Sequence, residues 1–267
     1  MRLLTILLLV SASAIPARAT DLGISKWGAM GHRLVVEIAW DHLTPAARAA
    51  AVSLLGGQSP GDASVWADSI RSFRRDTGPL HYVNLPAGER AWHPEKYCRS
   101  GDCVVGAVEK YQAILANRTA PAAERAEALR FVMHFVGDMH APLHVGDRGD
   151  RGGNDVSVTW RGRKTNLHAV WDTDLLRAWA PSEGSYLKTL RRRIARMSPE
   201  DRAQAASGSI AGWAMDGNAI SGEVVYRLPP GNDLGPEYLR SAGPVMDLAI
   251  VNAGLRLARL LNQALDG

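Results

Sequence analysis

The chain has 267 residues, 46% of them apolar and 22% charged, the balance of a soluble globular protein with one large domain or two small ones. That composition excludes disordered and collagen-like classes, and a net charge of +4 is too small for a protein that holds nucleic acid by side-chain charge alone. The unusual counts are eight His and eight Trp against three Phe.

Arg2, an apolar run over residues 3–10 and a small-residue stretch ending Ala17-Arg18-Ala19 have the three-part layout of a secretory signal peptide. The run is too short to span a bilayer, and no later stretch approaches about 18 consecutive apolar residues. The expected division is 1–26 as signal peptide with a possible short pro-segment, cut after Ala19 or before Trp27, and 27–267 as the working domain. The mature chain is then periplasmic or secreted. Helical stretches are predicted over 33–42, from Thr44-Pro45 to Gly56-Gly57, and over 62–73. Residues 78–101, rich in Pro, Gly and charge, read as an extended loop. Val104–Ala116 reads as a helix, and a longer one runs from near Pro121 to His140, stopped before Pro142.

A polar glycine-rich loop follows over 146–154. The alternation over 155–160, closed by Arg161-Gly162, predicts a short hairpin. Asn166 can cap a helix over 167–179, Ser198-Pro199-Glu200-Asp201 opens another, and 245–265 is amphipathic at helical spacing. The expected fold is all-α: one compact multi-helix domain with a small β-hairpin. The two cysteines, Cys98 and Cys103, favour a local disulfide in an exported protein.

The chemistry-bearing pattern is two His/Asp pairs at helical i, i+4 spacing, His134 with Asp138 and His168 with Asp172. Each pair sets an imidazole and a carboxylate on one helix face, one turn apart. His144 lies just past Pro142, where the chain must turn, and Asp68, His81 and His32 offer the same ligand chemistry. Imidazole with carboxylate suits divalent ions, zinc above all. One such pair alone is more often a packing pair than a ligand set. Two pairs, with Gly153-Asn154-Asp155 between them, shift the balance to a multinuclear site. His42 and His93 read as surface residues, and His140 as a supporting hydrogen-bond partner.

Trp27 with His32, Trp66-Ala-Asp68 with Arg71, His81-Tyr82-Val83, the block His134-Phe-Val-Gly-Asp138-Met-His-Ala-Pro-Leu-His144, Gly-Gly-Asn154 and Asn166-Leu-His168-Ala-Val-Trp-Asp172 resemble the zinc-dependent single-strand nucleases of the S-one/P-one family. The resemblance spans nearly the whole mature chain, in order. It implies the phospholipase C-like all-α fold of that family and three Zn2+ ions in a cleft. Carried over, Asp68, His81 and His134 hold one zinc, and Asp138 bridges it to a second. His32 and the amine and carbonyl of Trp27, as mature N-terminus, complete the second. His144, His168 and Asp172 hold the third. Arg71 contacts the phosphate, Tyr82 and Asn84 take the base, and Asn154 lines the cleft. Asp68, Arg71 and Asp138 form the catalytic set.

The implied activity is hydrolysis of single-stranded DNA and RNA to 5′-phosphate products, with 3′-nucleotidase activity and a hydroxide between metals as nucleophile. The implied protein is a monomer with no stable protein partner and no membrane association. The chemistry is coherent: phosphodiester hydrolysis needs a nucleophile at neutral pH and charge neutralisation on the phosphoryl oxygens, which paired metals supply. A base stacked on Tyr82 must first leave a duplex stack. Two alternatives share the pattern: a zinc phospholipase C, and a periplasmic zinc-binding protein without turnover.

Overall fold

The computed structural model describes residues 28–266. The signal-peptide reading, the cut before Trp27 and the Trp27 ligand lie outside the described residues.

The first helix, α1 (Ala29–Asp41), begins a turn earlier than the periodicity suggests, so His32 is part of it and buried. Helix α2 (Pro45–Leu55) starts on Thr44, whose side chain accepts from Ala47 N, and ends at Gly56 with φ 59°. Helix α3 (Pro60–Ile70) is capped in the same way by Ser59. The stretch expected to be a loop holds a 3-10 turn, Arg75–His81, and one turn of helix, α4 (Pro94–Tyr97). Cys98 and Cys103 are joined, and Cys103 caps α5 (Val104–Ala116).

Helix α6 (Ala122–His140) is the axis of the molecule. Every side chain from Phe131 to His140 is buried, because α1, α3, α5 and the C-terminal helix all pack against it. An amphipathic stripe would suffice for a surface helix; burial all round marks a central one. Pro142 cannot continue the helix, and the chain turns through a 3-10 segment, Pro142–His144, that aims His144 back at α6.

Strands β1 (Ser157–Trp160) and β2 (Arg163–Asn166) form the hairpin, paired Ser157 to Asn166 and Trp160 to Arg163. Arg161 and Gly162 both take positive φ, 49° and 78°, as a two-residue primed turn demands. A third strand, β3 (Asp233–Leu234), adds parallel to β1 and was not read from the sequence. The hairpin ends on Asn166, whose side chain accepts from Ala169 N and starts α7 (Leu167–Ala169). A π-helical turn, Val170–Asp174, joins α7 to α8 (Leu175–Trp179).

Helices α9 (Glu183–Ala195), α10 (Pro199–Ala206) and α11 (Ile210–Ile220) lead to α12 (Pro236–Leu265). The last helix starts nine residues before the amphipathic stretch and runs through Pro244. It packs along α1 and α6. Among the described residues no helix is long and apolar enough to cross a membrane.

Candidate metal centre

One side of α6 carries His134 and Asp138, and the other donors reach them from separate elements. Residues 81–85 alternate buried and exposed, so His81 and Val83 turn inward while Tyr82 and Asn84 face solvent. That segment is held by Val83 N donating to His144 O at 2.8 Å.

His81 Nδ1 and His134 Nε2 lie 2.8 and 3.0 Å from Asp138 Oδ2, and 3.1 Å from each other. Both also lie 3.8 Å from Asp68 Oδ1. The other carboxylate oxygen, Asp138 Oδ1, faces His32 Nε2 at 3.4 Å and His144 Nδ1 at 3.2 Å. His168 Nε2 is 3.1 Å and His144 Nε2 3.4 Å from the two oxygens of Asp172. Three triads result, each with donor atoms within 4.8 Å of one another and all buried: Asp68, His81 and His134; His32, His134 and Asp138; His144, His168 and Asp172. These are the described residues named as ligands from the sequence; two triads match the expected sets, while His32 and Asp138 are joined by His134, which two triads share.

Backbone carbonyls set the imidazoles. His134 Nδ1 donates to Ser64 O at 2.7 Å, His144 Nδ1 to His81 O at 3.0 Å, and His168 Nδ1 to Gly152 O at 2.8 Å. A carbonyl can only accept, so each of these Nδ1 atoms carries hydrogen and each Nε2 is available to a ligand. His81 Nε2 and His144 Nε2 are buried with no hydrogen-bond partner. Such an arrangement is costly in a core unless a cation satisfies it. Nitrogen and carboxylate oxygen are the donors zinc takes, so the residues fit that ion.

The electrostatics agree. Burial holds His32 below its ordinary value and pushes His81 down to about 4. Burial opposes charge on His134 and His144 as well, but the Asp138 carboxylate outweighs it and lifts both. Burial would raise Asp138 and Asp172, yet the facing imidazoles hold both well below the carboxylate range. His140, on the same helix, is different: its Nδ1 donates to Val136 O at 2.7 Å, and its Nε2 faces Arg256 at 3.0 Å. It is a supporting residue, as expected.

A cleft of about 710 Å³ opens over the triads, lined by His81, His144 and His168 and by Arg71, Tyr82, Asn84 and Asn154. Arg71, at the end of α3, stands 3.7 Å from Asp68 Oδ1. Asn154 donates its side-chain N–H to Arg151 O at 2.8 Å, so it also braces the glycine-rich loop. The carbonyls of Ser64, His81 and Gly152 escaped the sequence reading, since main-chain acceptors leave no residue-type signal.

The S1/P1 Nuclease family model matches residues 27–266. The chain belongs to the S1/P1 nuclease family. This nuclease, a hydrolase of phosphodiester bonds, is 33% identical to Nuclease P1 of Penicillium citrinum, over 89% of this chain and 97% of that protein. It is 32% identical to Endonuclease 2 of Arabidopsis thaliana, over 90% of this chain and 91% of that protein. Nuclease S1 of Aspergillus oryzae is 29% identical over 93% and 96%. Its substrate is therefore nucleic acid.

Proposed function

We propose that this nuclease is a secreted, monomeric, trinuclear-zinc enzyme that hydrolyses single-stranded DNA and RNA to 5′-phosphate products and removes phosphate from 3′-nucleotides. The observation that carries the reading is Asp138, whose two oxygens face separate donor groups at 2.8–3.4 Å. A carboxylate so placed suits a bridge between two cations. Asp68, His81 and His134 would hold one zinc, His32 with Asp138 a second, and His144, His168 and Asp172 the third; Trp27 would complete the second as mature N-terminus. Zinc supplies Lewis-acid charge and makes a water acidic enough to attack at neutral pH.

The chain's own residues do the rest. Arg71 aims planar donors into the cleft beside Asp68 and neutralises a phosphoryl oxygen. Tyr82, 40% exposed, offers a ring for an unpaired base, and Asn84 on the same face of the segment offers amide donors and acceptors to the base edge. Asn154 lines the wall near His168. Stacking on Tyr82 favours single strands, because a duplex base is already stacked.

The test is hydrolysis of single-stranded DNA, RNA, duplex DNA, 3′-nucleotides and phosphatidylcholine by the exported, metal-analysed protein. Cleavage of both single strands, with duplex DNA far slower and the lipid inert, is expected. Cleavage of the lipid, or equal rates on duplex, would overturn the reading. N-terminal sequencing of the same sample decides whether Trp27 carries the free amine.

A further inference from the structure

The glycine-rich loop 147–153 is highly charged yet tightly built. Asp147 Oδ1 accepts from the backbone N–H of Gly149, Asp150 and Gly152 at 3.0, 3.0 and 3.1 Å. Asp150 Oδ1 accepts from Gly153 N at 2.8 Å and from Tyr226 Oη at 2.7 Å. Both carboxylates are thus engaged by the loop and its neighbour. A side chain at Gly152 would bring Cβ to 2.3 Å from Leu143 O, so the backbone must pass close to that wall. The two arginines have different fates. Arg148 lies over the Tyr226 ring at 4.4 Å. Arg151 lines the cleft, with its side chain 76% exposed.

Arg151 is also held in an unusual backbone state. Its φ is 57°, in company with Gly149, Gly152 and Gly153 at 77°, 61° and 79°. Glycine would adopt that conformation freely, whereas a residue with a side chain is strained there. Asn154 Nδ2 braces the Arg151 carbonyl, and the nearest carboxylate, Asp155, is 3.5 Å away in an exposed pair worth little. The strain is therefore not offset by a structural contact of the guanidinium. Such residues cluster at ligand-contacting sites.

The placement says which ligand. Gly152, next in the chain, gives its carbonyl to His168, so Arg151 stands beside the His144, His168 and Asp172 group. Arg71 stands beside Asp68, in the other donor group. Arg71 and Arg151 thus line one cleft from backbone positions beside different donor groups. We propose that Arg151 forms a second phosphate subsite, engaging the phosphodiester next along the strand from the one cleaved. The inference rests on the nuclease reading of the same cleft.

The test compares wild type with Arg151→Gly, which keeps the loop conformation available, and with Arg151→Lys. The readout is the ratio of kcat/KM for a single-stranded oligonucleotide to that for a dinucleoside monophosphate, which has no second phosphate. The ratio is expected to fall about tenfold in Arg151→Gly, mainly through KM, and to recover partly in Arg151→Lys. Binding of a phosphorothioate oligonucleotide should lose about 0.7 from its log–log salt slope, the value for one phosphate contact to a single strand. An unchanged ratio with an unchanged slope would overturn the subsite. A wild type inactive on both substrates would instead overturn the nuclease reading beneath it.

Discussion

Helix α6 carries two buried histidine environments that look alike in sequence and differ in kind. His134 sits among imidazoles and carboxylates where buried ring nitrogens such as His81 Nε2 have no hydrogen-bond partner. His140 is engaged at both nitrogens, by Val136 O and Arg256, and Arg256 in turn reaches Asp216 at 2.6 Å. Burial with Arg256 beside it holds His140 down to about 3, so it is a neutral acceptor. A satisfied buried network supports the fold, whereas a convergent set short of partners is completed by a ligand.

The largest expected effect is at Asp138, the proposed bridge. Asp138→Asn should reduce hydrolysis to background and lower zinc content by more than one ion per chain, measured by metal analysis. Unchanged stoichiometry would show that Asp138 serves one site only. Next comes pH. His144 is raised above its ordinary value, so protons compete with zinc up to that higher pH, while Asp138 and Asp172, held low, stay ionised. Zinc affinity should weaken as pH falls through the raised value, by about tenfold per pH unit for each proton displaced. Calorimetry in buffers of different ionisation enthalpy reads the proton release directly.

A smaller effect should come from the satisfied network. His140→Leu leaves a buried Arg256 donor without its acceptor and should cost about 2 kcal/mol in denaturant unfolding, with zinc content unchanged. Loss of zinc in that variant would erase the distinction between the two environments. The smallest is at the cleft rim. Tyr82→Ala should cost about 1–2 kcal/mol of substrate binding, read in KM, and spare metal content.

Much of the centre was legible because its signals are local. The i, i+4 pairs of α6 and of the segment 167–172 place donors by helical geometry alone, and the Asn166 cap and a turn at Gly162 follow from residue type. What escaped depends on tertiary packing. Helix α11 contains Gly212, Gly217 and Asn218, poor helix formers, yet Gly217 is needed because a Cβ there would meet Val145 at 2.7 Å. Asn218 is buried, binding Gly88 N, Pro86 O and Val145 O, and so ties down the segment that follows Tyr82 and Asn84. Pro244 disguised the first third of α12, where packing against α8 outweighs the missing N–H.

The donors span the chain from His32 to Asp172, whereas the disulfide closes a ring of only six residues. A cation seated in any one triad would therefore be a long-range cross-link, tying α1 to α6, α3 to α6, or the turn after α6 to the segment beyond the hairpin. Small loops constrain an unfolded chain weakly and large ones strongly. The ions proposed to do the chemistry would then also be the long-range staples of this fold, and a chelator would act as a denaturant as well as an inhibitor.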